Sequence, residues 1–125
     1  MSLDGFSSRH FLADIVDDAV VASFHPGILD EEGNVELLGQ SLFQLVDHHR
    51  FCRIIVDLSE ISFVSSSVLG KLISLHRKLH RAGGGLILCG LQEPVEMVLR
   101  RSNLLDYFQV VPGRDAALDF LKTMD

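Results

Sequence analysis

The run Ser65-Ser66-Ser67 sets three hydroxyls at the head of an apolar-periodic segment that continues to Arg81. A hydroxyl there can do two kinds of chemistry. It can accept a hydrogen bond from an otherwise unpaired backbone N–H and so start a helix, which is worth about 1 kcal/mol. It can also carry a phosphoryl group, which adds about −1.5 to −2 charges beside the positive end of the helix dipole. One cap needs one serine. On a helical wheel with Lys71 at zero, Ser67 falls near about −40°, in a polar stripe with Lys71, Lys78, Ser74, Arg81 and Arg77. Val68, Leu69, Leu72, Ile73, His76 and Leu79 face the other way, with His80 beside them and Ser66 at their margin. The wheel gives the cap to Ser65 or Ser66 and directs Ser67 outward, at the head of a cationic row.

Other residues offer rival chemistry. Asp17-Asp18 and Asp57 follow apolar runs, as do the carboxylates with which a receiver domain holds Mg²⁺ and takes a phosphoryl group on one aspartate, here Asp57. Yet Asp18 leads into AVVASFH, a strand pattern, where a receiver enters a helix, and YFQVVPG offers no lysine to pair the phosphoryl group. His76 and His80 have the i, i+4 spacing of a metal chelate but lack the HExxH glutamate, and His76 reads as a packed core histidine. His48-His49 read as solvated helix-end residues. The Gly83-Gly84-Gly85 run precedes a strand, whereas phosphate-cradling loops open a helix, so it is a turn. An SxxK acyl enzyme would need Lys at 69 or 70, which are Leu and Gly. No nucleophile with a base, no metal set and no cofactor-binding pattern stands out.

The elements that must position the serines follow from periodicity. Residues 10–16 and 19–25 read as a hairpin turning at Asp17-Asp18. The loop PGILDEEG leads to Asn34, an N-cap for a helix over 35–49. CRIIVDL, residues 52–58, is a central strand covered on both faces. A loop, SEISFV, precedes the helix 66–81, which stops at the glycine run. GLILCG is a second buried strand. Pro94 opens a third helix, PVEMVLRRSN; a strand over 107–111 and a helix over 114–122 complete the order ββαβαβαβα, an α/β layered domain with a mixed sheet.

The 125 residues, 47% hydrophobic and 22% charged, suffice for one core and are too few for two, so residues 1–125 read as a single domain. No apolar run reaches the roughly 18 residues of a membrane-spanning helix. The opening MSLDGFSSRH lacks a signal-peptide pattern, which makes the cytoplasm the expected location. Cys52 and Cys89 sit in apolar runs and read as small hydrophobes, not as a disulfide framework. A net charge of −6 argues against nonspecific nucleic-acid binding. The charge is polarised: residues 1–49 hold nine acids against Arg9 alone, whereas 50–125 hold eight acids against ten bases, giving −8 and +2. Such a surface can orient a partner.

VDLSEISFVSSSVLGKL, followed by GGGLILCGL, resembles the STAS domain, the fold of bacterial anti-sigma factor antagonists. The family signature is an apolar strand ending in aspartate, then Asp-Ser-Ser/Thr-Gly-Leu-Gly opening a helix; here it occupies residues 54–70. Ser65 stands where the family usually has an acid and Val68 where it usually has glycine. The resemblance implies a domain with no catalytic activity of its own and no cofactor. It further implies a partner that is both anti-sigma factor and serine kinase, phosphorylation of the second hydroxyl of the motif, which falls on Ser67, and a phosphatase that resets it. A register shifted by one residue would make Ser66 the acceptor. The expected contact surface is the loop 62–68 with the polar stripe, centred on Ser65, Ser66, Ser67, Val68 and Lys71, and the cationic stripe predicts acidic residues in the partner's groove. The class alternative is a STAS scaffold in a signalling complex, or an accessory subunit of a lipid transporter, that no kinase modifies.

Overall fold

Asp17 takes φ +56°, a left-handed conformation that aspartate tolerates, and this closes a two-residue turn between β1 (Phe11–Val16) and β2 (Ala19–Phe24), with Val16 opposite Ala19. The computed structural model describes residues 2–29 and 35–123. β2 then runs parallel to β4 (Arg53–Asp57), β4 to β6 (Gly85–Cys89), and β6 to β7 (Gln109–Val111), in the order β1-β2-β4-β6-β7. The expected mixed sheet is therefore present, antiparallel at one edge only. β6 is buried at every position and β4 at its three middle ones, as expected of parallel strands covered on both faces.

Four helices cover this sheet: α1 (Val35–Asp47), α2 (Ser66–Arg81), α3 (Glu93–Arg101) and α4 (Arg114–Leu121). One face of the sheet presents Val20, Ala22, Ile54, Val56, Leu86 and Leu88 to a core with α1, α2 and α3. The other presents Ala19, Val21, Ile55, Ile87 and Cys89 to Ala117 and Leu121 of α4. Burial raises the Cys89 thiol pKa to about 11, with the Asp57 carboxylate adding to the effect. No helix among the described residues is long and apolar enough to cross a membrane.

Two short strands lie in segments that periodicity reads as loops. β3 (Gly27–Leu29) and β5 (Ile61–Val64) pair in parallel as a separate two-stranded sheet. Three and four residues are too few to display an alternation, and this pairing is non-local, so neither run announces itself. β7 begins two residues later than expected, because Tyr107 and Phe108 turn back on Leu104 O at 3.1 and 3.2 Å. The first helix ends at Asp47, short of His48-His49. The expected cap Asn34 lies outside the described residues.

The glycine run ends α2 as expected, through a Schellman motif. Gly83, at φ +82°, donates to His80 O at 3.1 Å, and Gly84 donates to Leu79 O at 2.9 Å. Gly84 also abuts β4's entry: a Cβ there would lie 1.7 Å from the Cys52 carbonyl oxygen.

Candidate functional site

β5 and the loop before it deliver the serines. Asp57, at the end of β4, accepts a hydrogen bond from Ser59 N at 3.0 Å, and Gln92 Nε2 donates to Ser59 O at 2.8 Å. Gly27 N donates to Glu60 O at 3.2 Å and Ser62 Oγ to Gly27 O at 3.3 Å, which ties the loop to β3. The chain then turns into α2 at Ser65, which is extended (φ −87°, ψ 166°) and whose Oγ accepts from Val68 N at 3.3 Å. Of the two serines eligible as cap, Ser65 takes the role. The first turn of α2 holds no acidic residue.

The remaining hydroxyls differ from expectation in their exposure. Ser66 is exposed, whereas Ser67 is part-buried, neither sealed nor fully outward. α1 is the reason. Lys71 Nζ pairs with Glu36 Oε1 at 2.8 Å, and Lys78 Nζ with Asp47 Oδ2 at 3.0 Å while lying over the Phe43 ring at 5.3 Å. α1 therefore packs on the flank of α2 that carries Lys71 and Lys78, and Ser67 stands on that flank. The exposed stripe of α2 is Ser66, Gly70, Ser74, Arg77 and Arg81. The cationic row expected to attract an acidic partner is thus divided: its two lysines are neutralised inside the domain, by α1.

Two residues of the expected contact change character. Val68 is 1% exposed and belongs to the core, so its side chain offers no surface; it sits on the sheet-facing side with Leu72, Leu75 and Leu79. Lys71 is held across the α1–α2 seam, where its stem lies so close to Gly39 that a Cβ there would meet Lys71 Cδ at 2.8 Å. Phe63, not singled out from the sequence, is 43% exposed in β5, beside the serines. No alternation would have suggested this, because Ile61 and Val64 are buried while Ser62 and Phe63 between them are exposed.

The receiver alternative fails on geometry. Val20 is level with Ile54 and Ser23 with Asp57, so the Asp17-Asp18 turn lies at the opposite end of the strands from Asp57, roughly 16 Å away along the strand direction. Asp18 Oδ2 instead pairs with Arg53 at 2.8 Å. Asp57 Oδ2 pairs with Arg114 Nη2 of α4 at 3.3 Å, and the same nitrogen donates to Ser23 Oγ, so this guanidinium ties α4 to β4 and β2. Among the described residues no group of three or more His, Cys, Asp or Glu is arranged to hold a metal ion.

His76 is not a core residue. It is part-buried at the rim, its ring 5.0 Å from that of Tyr107 and 5.9 Å from that of Phe108, with Nδ1 out of water and unpartnered. Burial, with His80 adding to it, lowers its pKa below the usual 6.5. His48 is exposed, while His49 Nδ1 lies 3.0 Å from Ser2 O and its ring meets Phe6 edge-on at 5.5 Å.

Comparison with known proteins bears on this arrangement. Over 110 residues, 88% of this chain and 92% of the relative, the sequence is 30% identical to BtrV of Bordetella bronchiseptica, a protein named as a candidate anti-sigma factor antagonist. A crystal structure of a candidate anti-sigma factor antagonist from Thermotoga maritima superposes with a TM-score of 0.82 at 25% identity, covering 90% of this chain and 94% of that one. The anti-sigma factor antagonist SpoIIAA in its unphosphorylated form shares the fold, with a TM-score of 0.70 at 21% identity over 90% of this chain and 98% of that one. SpoIIAA has also been solved in a phosphorylated form. Residues 11–117 match the STAS domain, and the chain belongs to that family.

Proposed function

We propose that this chain is an anti-sigma factor antagonist that works by docking: unphosphorylated, it binds an anti-sigma factor that is also a serine kinase, in the cytoplasm, and phosphorylation of Ser67 ends the docking until a phosphatase removes the group. The domain itself performs no chemistry. The observation that carries this reading is a part-buried serine, Ser67, in the first turn of a helix capped by Ser65, preceded in the chain by the exposed Ser66 and Phe63. Relatives named as anti-sigma factor antagonists supply the class of partner.

Physical chemistry explains how such a switch would act. A phosphoryl group on Ser67 would meet the N-terminal end of α2 and stand one turn from the Lys71 ammonium, so the folded domain can accommodate it. A partner pressed on Phe63 and Ser66 cannot do so as easily, because closing that contact would strip water from a dianion. Ser65 in place of the family's usual acid retains the cap, and Val68 in place of glycine is absorbed by the core, so neither departure removes the hydroxyl. Ser66 is the second candidate acceptor, being the more exposed.

The decisive experiment is incubation with the candidate kinase and ATP, followed by mass-spectrometric location of phosphate. Modification of Ser67 is expected. Modification confined to Ser66 moves the switch by one residue, and phosphate on neither replaces the switch with an unmodified scaffold. In a binding assay, Ser67→Ala is expected to keep affinity for the anti-sigma factor and Ser67→Glu to weaken it about tenfold or more. Equal affinities would overturn the charge mechanism.

A further inference from the structure

The C-terminal half of α2 carries a second surface, remote from Ser67 along the helix. His76, Arg77, His80, Arg81 and Tyr107 line an open cavity of about 300 Å³. Three rings wall it: the imidazoles of His76 and His80 lie nearly parallel at 19° with centroids 6.4 Å apart, and Tyr107, 41% exposed, packs 5.0 Å from His76. Arg77 and Arg81 are exposed on the outer stripe of the helix. The lysines of α2 are paired with α1, and Arg53, Arg100 and Arg114 each have a carboxylate; Arg77 and Arg81 have no ion-pair partner among the described residues. Arg77 and Arg81 lie ten and fourteen residues beyond Ser67, roughly 15 and 21 Å along the helix.

We infer that this cavity and its two arginines are a docking site for a short acidic peptide segment of a partner protein, with one apolar side chain seated among the three rings and carboxylates on either side of it meeting Arg77 and Arg81. Charge complementarity selects the occupant. Two guanidiniums with no ion-pair partner among the described residues form a cationic spot on the exposed side of α2, on a chain whose net charge is −6. The chain's net charge of −6 opposes an extended polyanion such as nucleic acid or an anionic membrane, whereas a segment shorter than the screening length answers mainly to the two arginines. Ring walls and a volume at the low end of the roughly 300–1,000 Å³ range of ligand cavities fit one apolar side chain. A small inorganic anion would leave those walls uncovered. Arginine at such a contact offers the planar two-nitrogen fork that carboxylates match.

The test uses the full chain and three fluorescein-labelled peptides: one of Asp and Glu with a central Leu, one of Asp and Glu alone, and one of Lys with a central Leu. Saturable binding of the first is expected by fluorescence anisotropy at low salt, weaker for the second and absent for the third. Arg77→Gln combined with Arg81→Gln should weaken it about tenfold or more, as should a rise in salt well beyond physiological strength. Tyr107→Ser should weaken it independently of salt. The arginines are exposed and have no ion-pair partner among the described residues, so their replacement should leave the circular dichroism spectrum and urea midpoint unchanged, which separates lost docking from lost fold. Ser67→Glu should leave peptide affinity unaltered, so that failure of the phosphorylation switch and failure of this site remain distinguishable. The inference is overturned by absence of saturable binding up to about 1 mM peptide, by insensitivity to the arginine pair, or by equal affinity for the peptide lacking Leu. Self-association of the chain that the arginine pair abolishes would make a second copy the occupant and would also overturn it.

Discussion

Ser65 shows how much of the site a single side chain decides. Its Oγ satisfies Val68 N, and the backbone of Ser65 accepts from Leu69 N at 3.1 Å, so the helix start that presents Ser66 and Ser67 hangs on this residue. Ser65→Ala should cost about 1 kcal/mol in urea unfolding, whereas Ser65→Asp should match or exceed the parent, since a carboxylate caps equally well and also favours the dipole. An Asp variant as unstable as the Ala variant would contradict the capping role. The cap was readable from sequence because it is local chemistry, a hydroxyl placed before an apolar period. The relative exposure of Ser66 and Ser67 was not, because it depends on where a helix some thirty residues earlier in the chain comes to rest.

At the scale of elements, the seam between α1 and α2 is the feature that periodicity could not foresee. A wheel drawn for one helix counts Lys71 and Lys78 as polar and therefore outward; only the neighbour reveals that Glu36 and Asp47 meet them in the same order along both helices. Both pairs are part-exposed and thus individually modest. A double-mutant cycle on Lys78→Ala and Asp47→Ala should give a coupling of about 0.2–1 kcal/mol in low salt, shrinking in high salt. A coupling that salt leaves unchanged would mean that Lys78 contributes by its stem over Phe43 and not by charge. The same limit explains β3 and β5. Their partners are distant in sequence and their lengths too short for a period, while the longer apolar runs of β4 and β6 and the glycine stop after α2 were legible at once.

Over the whole molecule, stability should depend on pH through two histidines far apart in the fold. His10 has both ring nitrogens out of water without a partner, and its pKa is lowered by burial first and then by Arg9 and His25; His76 is lowered by burial and then by His80. A lowered native pKa means that, below the usual 6.5, the unfolded chain holds more protons than the folded one. Stability is therefore full above about 6.5 and declines as pH falls through the native values, the loss beginning in the mildly acidic range. Urea midpoints should fall between pH 7.5 and pH 5.5, and His76→Phe, which keeps a ring against Tyr107 and Phe108, should flatten part of that fall. A profile unchanged by this substitution would remove His76 from the effect. Neither histidine's environment was visible in the sequence, where His76 reads as interior, because its surroundings are made by the turn at Tyr107 and Phe108 and not by its own helix.

Among the described residues α4 is the one helix packed on the second face of the sheet, and it follows all the strands described. During synthesis, Ala19, Val21, Ile55, Ile87 and Cys89 are therefore all made before the ribosome has supplied the residues that shield them. For that interval the nascent protein carries a greasy plane open to chaperones or to its neighbours, and Arg114, reaching back to Asp57 and Ser23, is the first residue able to draw the shutter.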